Sequence, residues 1–312
     1  MSDPPPEVRE LADRRAAARA GRDFPAADAL RDRIAALGWT VRDAPGGYEL
    51  APVSTRTPPY RVHPTIGGLP DRTGEAPTRR ATVALLVEGW PHDLRSCVRA
   101  LLAHAPGDVA VAALDQANVD GAGDALHELA TEHPGRVEEW HVAAPAGWGG
   151  ARNALLASDT AEIHILADTS TILEGDALTP LLRCFDDPSV VGAGWRGVAV
   201  DDDWRGFHDA GPGEVEALLG YLFAVRRDAA TGVGGLPRKA RFYRNADLEF
   251  SLALRDAGLG RLVVPEGELP VRQARHRGYH DTDHAYRDRE SKRNYDRLLA
   301  RFRGREDLRL PS

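Results

Sequence analysis

The stretch GWGGARNALLASDTAEIHILADTSTILEG, residues 147–175, decides the fold of this chain. It begins with a glycine-rich loop, continues into a helix predicted to open at residue 151, and then reaches the apolar strand 163–166. Asp168 follows just after that strand. In an α/β sheet, a carboxylate just past the carboxyl end of a buried strand lies at the crevice where ligands bind. The stretch therefore predicts a parallel sheet with a ligand site at one end.

Apolar runs alternate with helical segments on the amino-terminal side of this stretch. Residues 81–87, 109–114 and 137–142 are predicted to form buried strands. Helices are predicted over 94–104 and 121–133, between these strands. The alternation indicates βαβ units and an α/β fold with a mostly parallel sheet. A chain of 312 residues exceeds the usual single domain, so we expect one large α/β domain with a small appendage.

Residues 1–50 are predicted to form that appendage, with two helices followed by a hairpin. Leu30, Ile34 and Leu37 recur at helical spacing in the second helix, so we expect them to share one buried face. The hairpin is predicted around the sequence APGG, residues 44–47.

A linker is predicted between this unit and the main domain. Residues 51–80 are rich in proline, glycine, threonine and arginine and show no clear periodicity. Such a composition is typical of a connecting segment, here one that wraps over the main domain. The main domain is expected to span residues 81–312.

Composition restricts the class of protein. The formal net charge of −7 counts against a nucleic-acid binder, since such proteins usually carry a basic surplus. The two cysteines, Cys97 and Cys184, form no C-x-x-C pair, so no structural zinc site is predicted. No run approaches the roughly 18 apolar residues needed to span a bilayer, and the first ten residues contain no apolar leader segment. We therefore expect no membrane contact and a cytoplasmic location.

The sequence GRDFPAADALRDRIAALGWTVRDAPGGYEL, residues 21–50, resembles the small carboxyl-terminal helical domain of cysteinyl-tRNA synthetases. In those enzymes the domain assists contact with tRNA, so one hypothesis is a tRNA-associated factor. The chain lacks a synthetase's nucleotide motifs and zinc cysteines, however. The alternative is a reused helical hairpin that packs on a protein partner or on the main domain.

The main domain resembles family 2 glycosyltransferases, which have the GT-A fold, over roughly residues 81–303. The resemblance rests on short motifs that occur in the family's order: VALLV with Glu88 (83–88), LD (114–115), GGARN (149–153), LADT (166–169), GG (234–235), and RNADLE continuing to RDAG (244–258). The order and spacing of these motifs are more specific than any one of them alone.

The resemblance implies a nucleotide-diphosphate sugar as donor. The residues that it places at the donor are Glu88, Asp115, Gly149, Arg152 and Asp168, with Asp115 at the base. The leaving diphosphate gains negative charge in the transition state, which backbone amides, a helix amino terminus and an arginine can offset. The alternative for Arg152 is a surface salt bridge.

The metal site departs from the family pattern. The family's D-x-D motif becomes Leu166-Ala167-Asp168, which leaves only the last carboxylate. The resemblance implies a manganese or magnesium ion, and His276 or His280 as further ligands beside Asp168. Hard cations prefer several oxygen ligands, and this set is small. Three alternatives stay open: a weakly held metal, protein cations in its place, or loss of catalysis.

The resemblance assigns the catalytic base of an inverting transfer to Asp247, within RNADLE. An inverting enzyme needs a base to take the proton of the acceptor hydroxyl. The alternative for Asp247 is a capping or first-turn residue favoured by the helix dipole. The leading hypothesis is thus a sugar transferase acting on an unidentified acceptor, and the alternative is a non-catalytic GT-A binding or scaffold module whose docking element is residues 1–50.

Overall fold

The computed structural model describes residues 3–44, 47–52, 57–118 and 120–311. The α-helices in these ranges are α1 (Pro6–Ala20), α2 (Phe24–Ala36), α3 (Pro91–His104), α4 (Ala122–Glu132), α5 (Gly147–Ser158), α6 (Leu178–Arg183), α7 (Arg227–Gly232), α8 (Ala246–Asp256), α9 (Arg277–His280) and α10 (His284–Phe302). Short 3₁₀ turns lie at Ile66–Gly68, Cys184–Asp186 and Glu306–Leu308.

The strands in the same ranges are β1 (Trp39–Ala44), β2 (Gly47–Pro52), β3 (Val62–His63), β4 (Arg79–Val87), β5 (Val109–Gln116), β6 (Val137–Val142), β7 (Ala161–Ala167), β8 (Thr171–Leu173), β9 (Val190–Gly194), β10 (Gly197–Val200), β11 (Phe207–Ala210), β12 (Gly213–Val215), β13 (Ala217–Leu218), β14 (Leu222–Arg226), β15 (Arg261–Val264) and β16 (Val271–Gln273).

One large mixed sheet organises the main domain, in the order β12-β15-β9-β14-β7-β4-β5-β6-β3. The central strands β7, β4, β5 and β6 run parallel, as predicted, and β14 is inserted antiparallel between β7 and β9. Alternate residues of β4 face opposite sides, so Val83 and Leu85 join one buried cluster while Ala84 and Leu86 join another. Because both faces are covered, the strands read as unbroken apolar runs.

The register of the parallel strands brings their carboxyl ends together. Val87 of β4 is paired with Asp115 of β5, and Leu85 is paired with Ala167 of β7. The residues just beyond these ends, Glu88 and Asp168, therefore lie at the same edge of the sheet as Asp115.

The amino-terminal unit has an apolar cluster of its own, formed by Val8, Leu11, Ala12, Leu30, Ile34 and Trp39. Asp23 begins α2 by accepting a hydrogen bond from the amide of Ala26 at 3.2 Å. The prediction for Leu37 is wrong, because α2 ends at Ala36 and the side chain of Leu37 is 42% exposed. The predicted hairpin pairs β1 with β2, and residues 45 and 46 of its turn lie outside the described residues.

The described part of the predicted linker, residues 57–80, lies against the main domain. Its strand β3 pairs in parallel with the end of β6 and so extends the large sheet. The amides of Arg72 and Thr78 donate to the carbonyls of Ala157 and Thr160 at 2.7 and 2.8 Å.

The glycine-rich segment is helical, so the predicted loop at 147–150 is wrong. The helix α5 begins at Gly147, and the amide of Gly149 donates to the carbonyl of Ala240 at 2.8 Å. A side chain at Gly149 would overlap the carbonyl oxygen of Pro237. These glycines therefore let the first turn of α5 pack closely against the segment 237–241.

Candidate active site

Asp168 begins the turn that follows β7, at the carboxyl edge of the sheet. Its Oδ1 accepts hydrogen bonds from the amide of Ser170, at 2.8 Å, and from the hydroxyl of Ser170. Its Oδ2 lies 3.1 Å from Nε2 of His276. Burial alone would raise the pKa of Asp168, but the contact with His276 and the bonds from Ser170 outweigh it and lower this pKa to about 2. Asp168 is therefore ionised at any neutral pH.

His276 reaches Asp168 from the segment between β16 and α9. Its Nδ1 is hydrogen-bonded to the hydroxyl of Tyr243 at 3.1 Å, and the ring is buried. Burial alone would lower the pKa of His276, but the contact with Asp168 and the charge of Glu88 reverse that direction and raise it. These contacts favour an imidazolium at His276 facing the carboxylate of Asp168.

Arg152 lies on α5 beneath this pair and is buried, so the surface salt bridge considered for it is wrong. Its guanidinium donates to the carbonyls of Ala84 and Ala167, at 2.7 and 2.8 Å, and so connects β4 to β7. Desolvation lowers the pKa of Arg152 to about 10, while the charges of Asp168 and Glu88 act in the opposite direction. Arg152 therefore remains charged at neutral pH.

Glu88 lies just beyond β4 and is exposed. Its Oε2 lies so near Gly278 that an added Cβ there would approach to 2.8 Å. Desolvation by the surrounding protein and the charge of Asp168 raise the pKa of Glu88, whereas the charges of His276 and Arg152 lower it. Glu88, Asp168, His276 and Arg152 thus form one coupled group of charges.

Asp115 is buried and already has partners. It accepts hydrogen bonds from the amide of Asn118, at 3.2 Å, and from the side-chain nitrogen of Asn118, at 2.6 Å, and it lies 3.3 Å from Nδ1 of His141. The ring of Tyr60, from the predicted linker, stacks on His141 with 3.8 Å between ring centroids. A carboxylate accepts about four hydrogen bonds, so a nucleotide base would use the remaining position of Asp115 or replace one of these partners.

Asp247 lies in the first turn of α8, where the N-cap position belongs to Asn245. Its carboxylate accepts hydrogen bonds from the amides of Gly220 and Leu248, at 2.8 and 3.0 Å. Desolvation outweighs these bonds and raises the pKa of Asp247 to about 6. A carboxylate with this pKa is largely ionised at pH 7 and is a stronger base than an exposed aspartate.

These residues converge. Asp168, Asp247 and His276 line one small recess, together with Trp148, Arg152, Gly220, Tyr221 and Tyr243. The recess shares Asp247, His276 and the two tyrosines with a larger cavity of about 620 Å³. His280, the other predicted ligand, is exposed and lines only the larger cavity.

The donor set for a metal is small. Across the described ranges no three His, Cys, Asp or Glu side chains are grouped as a metal cage. Of the predicted ligands, Asp168 and His276 are close enough to touch one cation, and the buried Nε2 of His276 lacks a hydrogen bond of regular geometry among the described residues. This pair fits a cation whose remaining ligands come from a bound substrate, as magnesium commonly does with phosphates.

Sequence reasoning missed several residues of the site. Tyr221 and Tyr243 line both the recess and the larger cavity, and the side-chain amide of Gln273 donates to the hydroxyl of Ser170 at 2.7 Å. Tyrosines within apolar stretches carry no signal that separates a cleft from a core. The sequence does indicate Ser170, whose hydroxyl lies two residues after Asp168 and bonds its carboxylate.

The sheet order and the position of the site define a GT-A fold, and comparison of folds confirms that prediction. A structure of GalNAc-T7 with UDP, GalNAc and Mn²⁺ superposes with a TM-score of 0.57 at 15% identity, covering 71% of this chain and 48% of that one. The mannosyltransferase PcManGT from Pyrobaculum calidifontis, in complex with GDP-Man and Mn²⁺, gives 0.57 at 19% identity, covering 78% and 68%. At these identities the likeness concerns the fold.

The amino-terminal unit has relatives of its own, which confirms the resemblance seen there. The family of the cysteinyl-tRNA ligase anticodon binding domain matches residues 1–49. The cysteine–tRNA ligase of Opitutus terrae is 52% identical over 48 residues, which are 15% of this chain and 10% of the ligase. That of Nitratidesulfovibrio vulgaris is 58% identical over 43 residues, 14% and 9%. The chain thus spans about a tenth of these curated relatives.

Proposed function

We propose that the main domain transfers a sugar from a nucleotide-diphosphate donor to an acceptor hydroxyl, with inversion. One observation carries the proposal: the Asp168–His276 pair and the carboxylate of Asp247 line the same recess. A transferase needs a charged centre for the diphosphate and a base for the acceptor within one cleft.

Asp247 is the base in this proposal. Its carboxylate takes the proton of the acceptor hydroxyl while the acceptor oxygen attacks the anomeric carbon, and the bond from that carbon to the diphosphate breaks. The pKa of about 6 leaves Asp247 mostly ionised at pH 7. The bonds from Gly220 and Leu248 hold the carboxylate in place before the acceptor arrives.

Asp168 and His276 would hold a manganese or magnesium ion, which neutralises charge on the diphosphate when bound. Tyr243 orients the imidazole through Nδ1, and Ser170 orients the carboxylate through Oδ1. Without a metal, a protonated His276 would be the cation in contact with Asp168.

The other predicted donor residues take different parts. Arg152 supplies positive potential from beneath the site and fixes the ends of β4 and β7. Glu88 lies beside the charged pair. Asp115 contacts the nucleotide's nucleobase after losing its contact with Asn118 or His141. The amide of Gly149 is already bonded within the protein, so we propose that this glycine serves packing.

Calorimetric titration with UDP- and GDP-sugars, with and without manganese, tests the proposal. We expect one donor to bind and to be slowly hydrolysed. Asp247→Asn should retain donor binding and lose turnover, whereas the exposed control Asp203→Asn should retain both. If no donor of the panel binds under either condition, the enzyme proposal is wrong and a non-catalytic scaffold replaces it. If the donor binds equally well with and without manganese, the charge of the diphosphate is compensated by His276.

The family match favours a second, separate role for residues 1–50, and we propose that they dock on a protein partner. Residues 1–49 contain eight arginines against nine acidic residues, so the unit lacks the positive surplus that binds nucleic acid. Filter binding to tRNA at physiological salt should show no complex, and a stable complex would restore the tRNA hypothesis.

No helix in the described ranges is long and apolar enough to cross a membrane. A cytoplasmic location remains a prediction.

A further inference from the structure

We propose that the acceptor carries an oxyanion, a phosphate or a carboxylate, which Arg196 and Arg244 bind in the cavity of about 620 Å³. This inference rests on the proposed function, because it identifies the acceptor whose hydroxyl Asp247 would deprotonate.

Two of the three arginines that line the cavity, Arg196 and Arg244, have no acidic partner among the described residues. The guanidinium of Arg196 stacks on the ring of Trp195 at 4.5 Å, and that of Arg244 donates to the hydroxyl of Tyr279 at 3.0 Å. Neither forms an ion pair with a carboxylate of the described residues. Arg275, on the same wall, is by contrast paired with Asp281 at 2.6 Å. Both free guanidinium groups are exposed, so their charge is available to a ligand.

The amino terminus of α8 also lines the cavity, through Asn245, Asp247 and Leu248. Asn245 provides no side-chain cap there, and a helix amino terminus carries a partial positive charge. Arginine with exposed donors matches the planar oxygens of phosphate and carboxylate groups.

Two carboxylates line the cavity with the arginines, Asp247, which the proposed function assigns as the base, and Asp209. Asp209 of β11 is exposed and lines the same cavity. Because it would repel a bound anion, its removal should strengthen anion binding, and this gives the proposal a test by gain as well as by loss.

The rest of the lining sets the size of the acceptor. Aromatic and apolar side chains form much of it: Phe207, Leu219, Tyr221, Tyr243, Leu248 and Tyr279. A cavity of this volume is in the range that holds organic ligands of considerable size. The acceptor is therefore an organic hydroxyl compound with one anionic end.

The test compares matched small probes by calorimetry: glycerol, glycerol 3-phosphate and D-glycerate. We expect both anions to bind the wild-type protein and glycerol to show no binding. Arg196→Gln combined with Arg244→Gln should weaken anion binding at least tenfold, and Asp209→Asn should strengthen it. Arg303→Gln, an exposed arginine outside the cavity, should change nothing. The phosphate and carboxylate arms decide which anion is preferred.

Equal affinity for glycerol and its phosphate would overturn the proposal, and so would anion binding that survives the double substitution. Thermal melting shows whether the variants fold, and Asp209→Asn keeps the test decisive if the double variant does not. Donor binding is measured in the same samples. A double variant that binds donor but not anion supports the inference, whereas a wild-type protein that binds anion but no donor contradicts only the proposed transferase.

Discussion

Replacing Asp247 by asparagine should separate activity from stability. The pKa of this buried carboxyl is raised from 3.8 to about 6 by desolvation. At a pH above both values, that difference corresponds to a cost of about 3 kcal/mol to the folded state. The folded state binds the proton more tightly than the unfolded state, so the cost is absent well below pH 3.8, grows between pH 3.8 and about 6, and stays constant at higher pH.

Asparagine removes this cost but keeps only one carbonyl oxygen for two amide donors. The amides of Gly220 and Leu248 each donate to a different oxygen of Asp247, so one bond is lost, at about 1–3 kcal/mol. We therefore expect Asp247→Asn to be as stable as the wild type at pH 8, or more stable by up to about 2 kcal/mol. Loss of a general base should reduce kcat by about 10²–10⁴-fold.

Denaturant unfolding at pH 5 and pH 8, for both proteins, measures the effect. The free energy of unfolding of the variant, relative to the wild type, should rise by about 1 kcal/mol between these two values. Equal pH dependence in both proteins would show that Asp247 has an ordinary pKa. Wild-type kcat should fall below pH 6 with the same titration, and a variant with full activity would refute its role as the base.

Two further substitutions test the site and its support. His276→Ala should weaken manganese-dependent donor binding at least tenfold, because Asp168 loses the partner that completes its pair, while the exposed His280→Ala should bind as wild type; equal losses would contradict this pairing. Gly149→Ala should destabilise the fold by about 1–3 kcal/mol, because its Cβ overlaps a carbonyl oxygen, while Gly74→Ala, with open space around it, should stay within about 0.5 kcal/mol in thermal melts.

The sequence predicts the strands well because burial on both faces leaves a continuous apolar signal. Strand β6 spans 137–142 as predicted, and β4 and β5 differ only at their ends. Since parallel strands share their orientation, the position of Asp168 at the sheet edge followed directly. The structure adds the register that joins these strands, which no local pattern contains.

Features that depend on distant partners were not predictable. The sequence predicts a loop at 147–150, but this segment is helical. Its glycines pack closely against residues 237–241, which lie about ninety positions away in the chain. Asp115 is enclosed because Tyr60, from a segment without periodicity, covers His141. The convergence of Asp247 and His276 similarly depends on how the chain returns after β14 and β16.

Arg152 shows why a family position does not settle a role. The resemblance implies a diphosphate ligand, yet the guanidinium donates to two buried carbonyls, those of Ala84 and Ala167. Arg152→Met should leave both carbonyls without this donor, and charged hydrogen bonds contribute about 1.5–3 kcal/mol each. We expect the ligand-free protein to lose at least about 2 kcal/mol. The pKa of Glu88 should rise further, because Arg152 lowers it at present.

A control separates support from ligand binding. Arg183→Met changes an exposed arginine on α6 and should shift the free energy of unfolding by no more than about 0.5 kcal/mol. If Arg152→Met instead weakens donor binding while the ligand-free protein melts as wild type, Arg152 binds the donor and does not stabilise the strands. Leu166 is buried, and the charge of Arg152 is balanced by Asp168 and Glu88. If Arg152→Met lowers both the stability of the ligand-free protein and the affinity for the donor, the same buried charge supports the strands and attracts the diphosphate.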